Sequence, residues 1–93
     1  MRGMVSIHFT ANLRRHVECP EMQVEGRTVH DALEAYFVVH PAVRSYIVDE
    51  QGAVRRHVAV FANGTQITDP TNLSDPVEDG TEIYVMQALS GGI

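Results

Sequence analysis

The part of this chain best suited to chemistry is its last stretch, Leu89-Ser90-Gly91-Gly92-Ile93. It brings no catalytic side chain. What it offers is an acyl group on an almost bare backbone, and a glycine pair is the least ordered ending available because each residue has the largest conformational freedom to lose and nothing to pack. A frayed terminus would look the same. The position of the pair, directly after the apolar run Ile83 to Ala88, favours a working tail. A tail without side chains, projecting from a packed strand, can be threaded into a narrow active site on another protein.

The remaining residues must hold that tail in place. At 93 residues the chain suits one domain with one core, and it can bury roughly 60 to 70% of its unfolded surface without staples. Cys19 is the only cysteine, so no intrachain disulfide is expected, which fits a reducing, cytoplasmic location. No run is long enough for a membrane span and no signal-peptide pattern opens the chain. The net charge of −5 comes from twelve carboxylates against seven arginines, with no lysine. That field repels nucleic acid and anionic lipid, and favours a basic or neutral protein partner. Absence of lysine also leaves no ε-amine by which an activated acyl end could link one copy to another, although genome composition explains the absence equally well.

In chain order, Val5, Ile7 and Phe9 alternate with Ser6, His8 and Thr10, the period of a strand with one buried face. Ala11 to Cys19 reads as a hairpin loop, and Pro20 to Glu25 as a short second strand with Met22 and Val24 inward. Thr28 with Asp31 resembles a capping box, and Val29, Ala32, Leu33, Tyr36 and Phe37 then recur at helical spacing until Pro41 ends the helix. Pro41 to Tyr46 reads as a turn or short helical piece. Ile47 and Val48 read as a short strand turning at Gln51-Gly52. Val58, Val60 and Ala62 alternate up to Asn63-Gly64, a type I′ hairpin signal, with Ile67 beginning the return. Thr68 to Glu78 reads as a surface connection plugged in by Leu73. Asp79-Gly80 is a turn, and Ile83 to Ala88 is apolar at nearly every position, as in a central strand covered on both faces.

This order predicts an α+β fold, a mixed sheet of four to five strands with one main helix packed on one face. A single helix cannot cover both faces. If Val60, Ala62, Ile83 and Val85 face the helix, then Phe61, Tyr84 and Met86 form an apolar patch on the far side, and such a patch marks a docking site unless loops cover it.

Phe9-Thr10-Ala11-Asn12-Leu13-Arg14, Thr28-Val29-His30-Asp31-Ala32-Leu33, Val60-Phe61-Ala62-Asn63-Gly64, Glu78-Asp79-Gly80-Thr81-Glu82-Ile83 and the terminal glycines resemble the MoaD/ThiS family of ubiquitin-like sulfur carriers. The resemblance spans the whole chain, and the glycine pair, the acidic-Gly turn and their spacing are its specific part. It implies a β-grasp domain over 1–93 with a flexible tail at 89–93, and a C-terminus activated by an E1-like adenylating enzyme. It also implies a carrier rather than an enzyme, with ATP used by the activating partner and no cofactor bound by this chain. A sulfur-accepting synthase would be the second partner, for molybdopterin, cysteine or thiamine biosynthesis, and the chain could serve as the small subunit of a molybdopterin synthase-like complex.

On that reading Gly91 and Gly92 act as substrate, becoming a C-terminal thiocarboxylate, and Phe61, Tyr84, Met86 and Leu89 form the docking surface. Two departures stand out. Gln87 sits where the family commonly has proline, and Ile93 follows the glycines. A β-branched end would not fit a channel sized for glycine, so a peptidase, expected to be a metallopeptidase, must remove Ile93.

Other chemistries have less support. His8, His16, His30, His40 and His57 never fall at metal-ligand spacing with one another. Cys19 lacks an identifiable base. The cluster Asp75, Glu78, Asp79 and Glu82 suits a solvated loop or a surface meeting a basic groove. Two rival classes share the same fold: a modifier joined through Gly92 to target lysines, and a β-grasp binding module that uses only its sheet face.

Overall fold

Alternating apolar residues build the sheet. In the computed structural model, which describes residues 3–87, β1 (Met4–Phe9) carries Val5, Ile7 and Phe9 on its buried side. It pairs antiparallel with β2 (Met22–Glu25), where Val24 is buried and Met22 half-buried. On its other side β1 pairs parallel with β5 (Glu82–Gln87). β5 in turn pairs antiparallel with β3 (Val58–Ala62), and β3 with the two-residue β4 (Thr65–Gln66). The strand order is β2-β1-β5-β3-β4, so β5 is central. Asn63 and Gly64 both hold positive φ, 51° and 85°, as a type I′ turn demands.

Helix α2 (Val29–Val39) covers one face of this sheet, burying Val29, Ala32, Leu33, Tyr36 and Phe37, the full predicted stripe. Thr28 caps it by accepting the Asp31 amide at 3.1 Å. The return arm of the capping box reaches one residue further back: Asp31 accepts the Arg27 amide at 3.4 Å rather than that of Thr28. Gly26 is fixed by the same approach, because a Cβ there would lie 2.8 Å from the Ala32 nitrogen. Fully burying each large side chain contributes about 1.5–3 kcal/mol, and the core runs from Val5 and Ile7 through Leu33 and Tyr36 to Ile83 and Val85.

Three local expectations change, and the short helical piece expected from Pro41 forms. Ala11 to Cys19 is not a plain loop: α1 (Ala11–Arg14) follows an extended Thr10 and sinks Leu13 into the core, with Cys19 buried behind it. One turn of helix is too short to announce itself by period. Beside the main helix stands α3 (Pro41–Ile47), with proline at its first position, where the missing N–H costs nothing. Ile47 therefore ends a helix rather than starting a strand, and Val48 makes only an isolated bridge with Val54. The return strand is Thr65–Gln66; Ile67 lies just beyond it and donates its amide to the Val60 carbonyl at 3.0 Å.

Leu73 does plug the long connection, 2% exposed and held at φ 57°. Around it the Asp75 carboxylate accepts the amides of Thr68 and Asp69 and the Thr68 hydroxyl. The carbonyls of Asp75 and Leu73 accept the Val29 and His30 amides, which joins this connection to the start of α2.

Candidate docking face and tail exit

Register places the expected docking residues. Tyr84 lies directly opposite Phe61, and Met86 opposite Ala59, all on the sheet face away from α2. Tyr84 and Met86 are each 43% exposed, while Phe61 is half-buried. The next residues of β5 in each direction, Ile83 and Val85, are fully buried on the helix side. β5 is thus central in pairing yet covered on one face only, against the expectation of cover on both, because both longer helices lie on one side. Leu89, Gly91, Gly92 and Ile93 lie outside the described residues.

Sequence reasoning passed over one neighbour of this patch. His8 is paired in register with Tyr84, and the two rings stack with centroids 4.5 Å apart and planes 17° from parallel. Its Nδ1 lies 3.0 Å from a Glu21 carboxylate oxygen and its Nε2 2.9 Å from one of Glu82. A ring hydrogen-bonded through Nε2, flanked by Glu21 at Nδ1 and stacked on one face has little freedom left. The signal was present in the alternation of β1, which puts His8 outward, but its partners become visible only once β1 is paired with β5.

Beside the C-terminal end of β5, Thr10 donates its amide to the Val85 carbonyl at 3.2 Å. Two buried side-chain oxygens nearby, Thr10 Oγ1 and Gln87 Oε1, have no hydrogen-bond partner. Gln87 ends β5 opposite Val58.

Two other reactive groups are buried. Burial pushes the Cys19 thiol up from 9.0, with Arg14 opposing only in part, so the thiolate is scarce at neutral pH. Burial also raises the Tyr36 phenol, with the Cys19 and Glu18 charges adding to it, and its hydroxyl donates to the Pro20 carbonyl at 2.7 Å. Among the described residues, no three His, Cys, Asp or Glu side chains converge as metal ligands, and no helix is long and apolar enough to cross a membrane.

What this arrangement presents is a half-apolar face on the strand that precedes the Gly91-Gly92 segment in the sequence. The ThiS family model matches residues 7–92. Small archaeal modifier protein 1 of Haloferax volcanii is 32% identical over 72 residues, 76% of this chain and 78% of the relative. A crystal structure of SAMP1 from the same organism matches with a TM-score of 0.81 and 27% identity, covering 97% of this chain and 100% of that one. The fold also matches a chain in the Amycolatopsis orientalis BexX/CysO complex, with a TM-score of 0.80 and 22% identity over 95% of this chain and 99% of that one. The five-stranded mixed sheet is that of a β-grasp protein, and the chain belongs to the ThiS family of ubiquitin-like sulfur carriers and modifiers, small carrier and modifier proteins rather than enzymes.

Proposed function

We propose that this chain carries sulfur on the carboxyl group of Gly92. The observation that carries the reading is where the family pattern ends: it runs through Gly92 and leaves out Ile93, downstream of a central strand paired on both sides. A carboxylate is a poor acceptor because oxide is a poor leaving group. An E1-like partner would spend ATP to make the Gly92 acyl adenylate, releasing pyrophosphate. Hydrogen sulfide ion would then attack the carbonyl carbon and expel AMP, giving a thiocarboxylate and one proton. ATP and the acid-base groups belong to that partner, and a synthase takes the sulfur. The bond after Gly92 must be cut first, and a metallopeptidase suits that step.

Purified chain ending at Gly92, incubated with its activating enzyme, ATP and sulfide, should exchange one oxygen for sulfur by intact mass, while the chain retaining Ile93 should not. A chain ending at Gly92 that never gains sulfur rejects the reading.

A second reading has its own support, since the 32% identical relative is named a modifier. The same acyl adenylate attacked by a target lysine amine would give an isopeptide bond. Cells expressing a tagged chain would then show heavier conjugates that vanish when Gly92 is deleted.

A further inference from the structure

Among the described residues, the strands that form the outer face of the sheet carry carboxylates and no arginine. At its centre Tyr84 and Met86 are exposed and Phe61 is half-buried. Beside them stand Glu21 and Glu82, their side chains 57% and 51% exposed. Among the described residues no arginine lies on any strand, and the chain has no lysine, so nothing on the strands answers these carboxylates except the His8 ring between them. A long carboxylate side chain usually sweeps a wide volume. Here Glu82 is hydrogen-bonded to Nε2 of the His8 imidazole and Glu21 lies 3.0 Å from its Nδ1, while the ring's face is fixed on Tyr84.

We propose that this face docks on a protein surface with an apolar floor rimmed by arginine or lysine, Glu21 and Glu82 meeting the rim, and that His8 positions Glu82 through Nε2 and the Tyr84 ring through its face. Charge complementarity selects the occupant. A second copy of the chain would bring carboxylates toward carboxylates, and nucleic acid or anionic lipid would be repelled. Ordering the acidic rim before binding reduces the side-chain entropy lost on contact. The inference rests on the carrier reading only for the partner's identity, the enzyme that activates the tail.

The test measures association of the chain ending at Gly92 with that purified enzyme, at low and high salt, with charging followed separately by intact mass. Glu21→Lys with Glu82→Lys should slow association about tenfold or more and flatten its salt dependence. Glu21→Gln with Glu82→Gln should do so more mildly, and serves alone if the reversal fails to fold. Arg44→Gln, on α3 in the helix layer that covers the opposite face of the sheet, should leave the rate within about twofold. His8→Ala should weaken affinity while keeping the salt dependence, since both carboxylates remain, and His8→Gln should recover part of the loss.

Wild-type rate and salt dependence in both Glu21/Glu82 pairs would overturn the proposal. So would a wild-type chain that fails to bind the enzyme, or one that sediments as a dimer broken by Tyr84→Arg. Binding that follows the expected pattern without any charging would reject the carrier reading and leave this face standing.

Discussion

β5 carries two sets of apolar residues that differ in almost nothing but direction. Ile83 and Val85 point toward α2 and are fully buried, whereas Tyr84 and Met86 point away and stay 43% exposed. The inward pair is fixed on three sides, by the neighbouring strands and the helix layer. The outward pair is supported only from beneath and beside, by Phe61 and His8. Apolar area left in water contributes nothing to folding, so the inward pair serves stability, while the outward pair is the part of β5 that the docking proposal assigns to a partner.

The widest separation between them should appear on truncation. Ile83→Ala leaves a cavity in a packed interior and should cost about 2–5 kcal/mol, enough to lower the denaturant midpoint sharply. Tyr84→Ala combined with Met86→Ala should shift that midpoint by about 1 kcal/mol or less, while abolishing tight binding to the activating enzyme. Equal losses of stability from the two would mean that the outward residues belong to the fold after all.

A smaller effect should come from the inner layer's one buried phenol. Tyr36→Phe removes the donor to the Pro20 carbonyl and should cost about 1 kcal/mol, with tail charging unchanged. Urea unfolding of the variant checks it, and a loss of charging at unchanged stability would show that the inner layer also serves the docking face.

How much of this was legible in the sequence depends on how far each feature reaches. Helix α2 could be read in full because its stripe, its cap and its stop all lie within Thr28 to Pro41. The Asn63-Gly64 turn was legible for the same reason. Helix α1 was not, since four residues are too few to show a period. Residue type misled at β5, where Tyr84 and Met86 count as apolar although they face solvent. His8 is the extreme case. Its contact with Glu82 joins residues 74 positions apart, and no local pattern announces a pairing of that range. The sequence still held the patch of Phe61, Tyr84 and Met86, because alternation against a single helix was enough to put them on the far side.

Acid should divide the two faces by a subtler route. In the connection that seats α2, Asp75 is held below its ordinary 3.8, first by the Thr68 amide, then by the Thr68 hydroxyl and the Asp69 amide. Asp69 is held low as well, chiefly by the Ser74 hydroxyl and next by the Asn72 amide. Because the folded chain lowers these values relative to the unfolded one, their contribution is complete above about pH 4 and is lost as pH falls through 3.8 toward the depressed values. Protonation releases the amides that the two carboxylates accept, and with them the platform that receives the Val29 and His30 amides at the start of α2. Hydrogen exchange below pH 4 should therefore quicken first at Thr68, Asp69, Val29 and His30, while the amides pairing β5 with β1 and β3 stay protected. Asp75→Asn should bring part of that quickening to neutral pH and reduce its dependence on acid. Uniform acid exchange across β5 and the connection would mean that the helix layer and the sheet melt as one unit, and that the division of labour along β5 stops at its side chains.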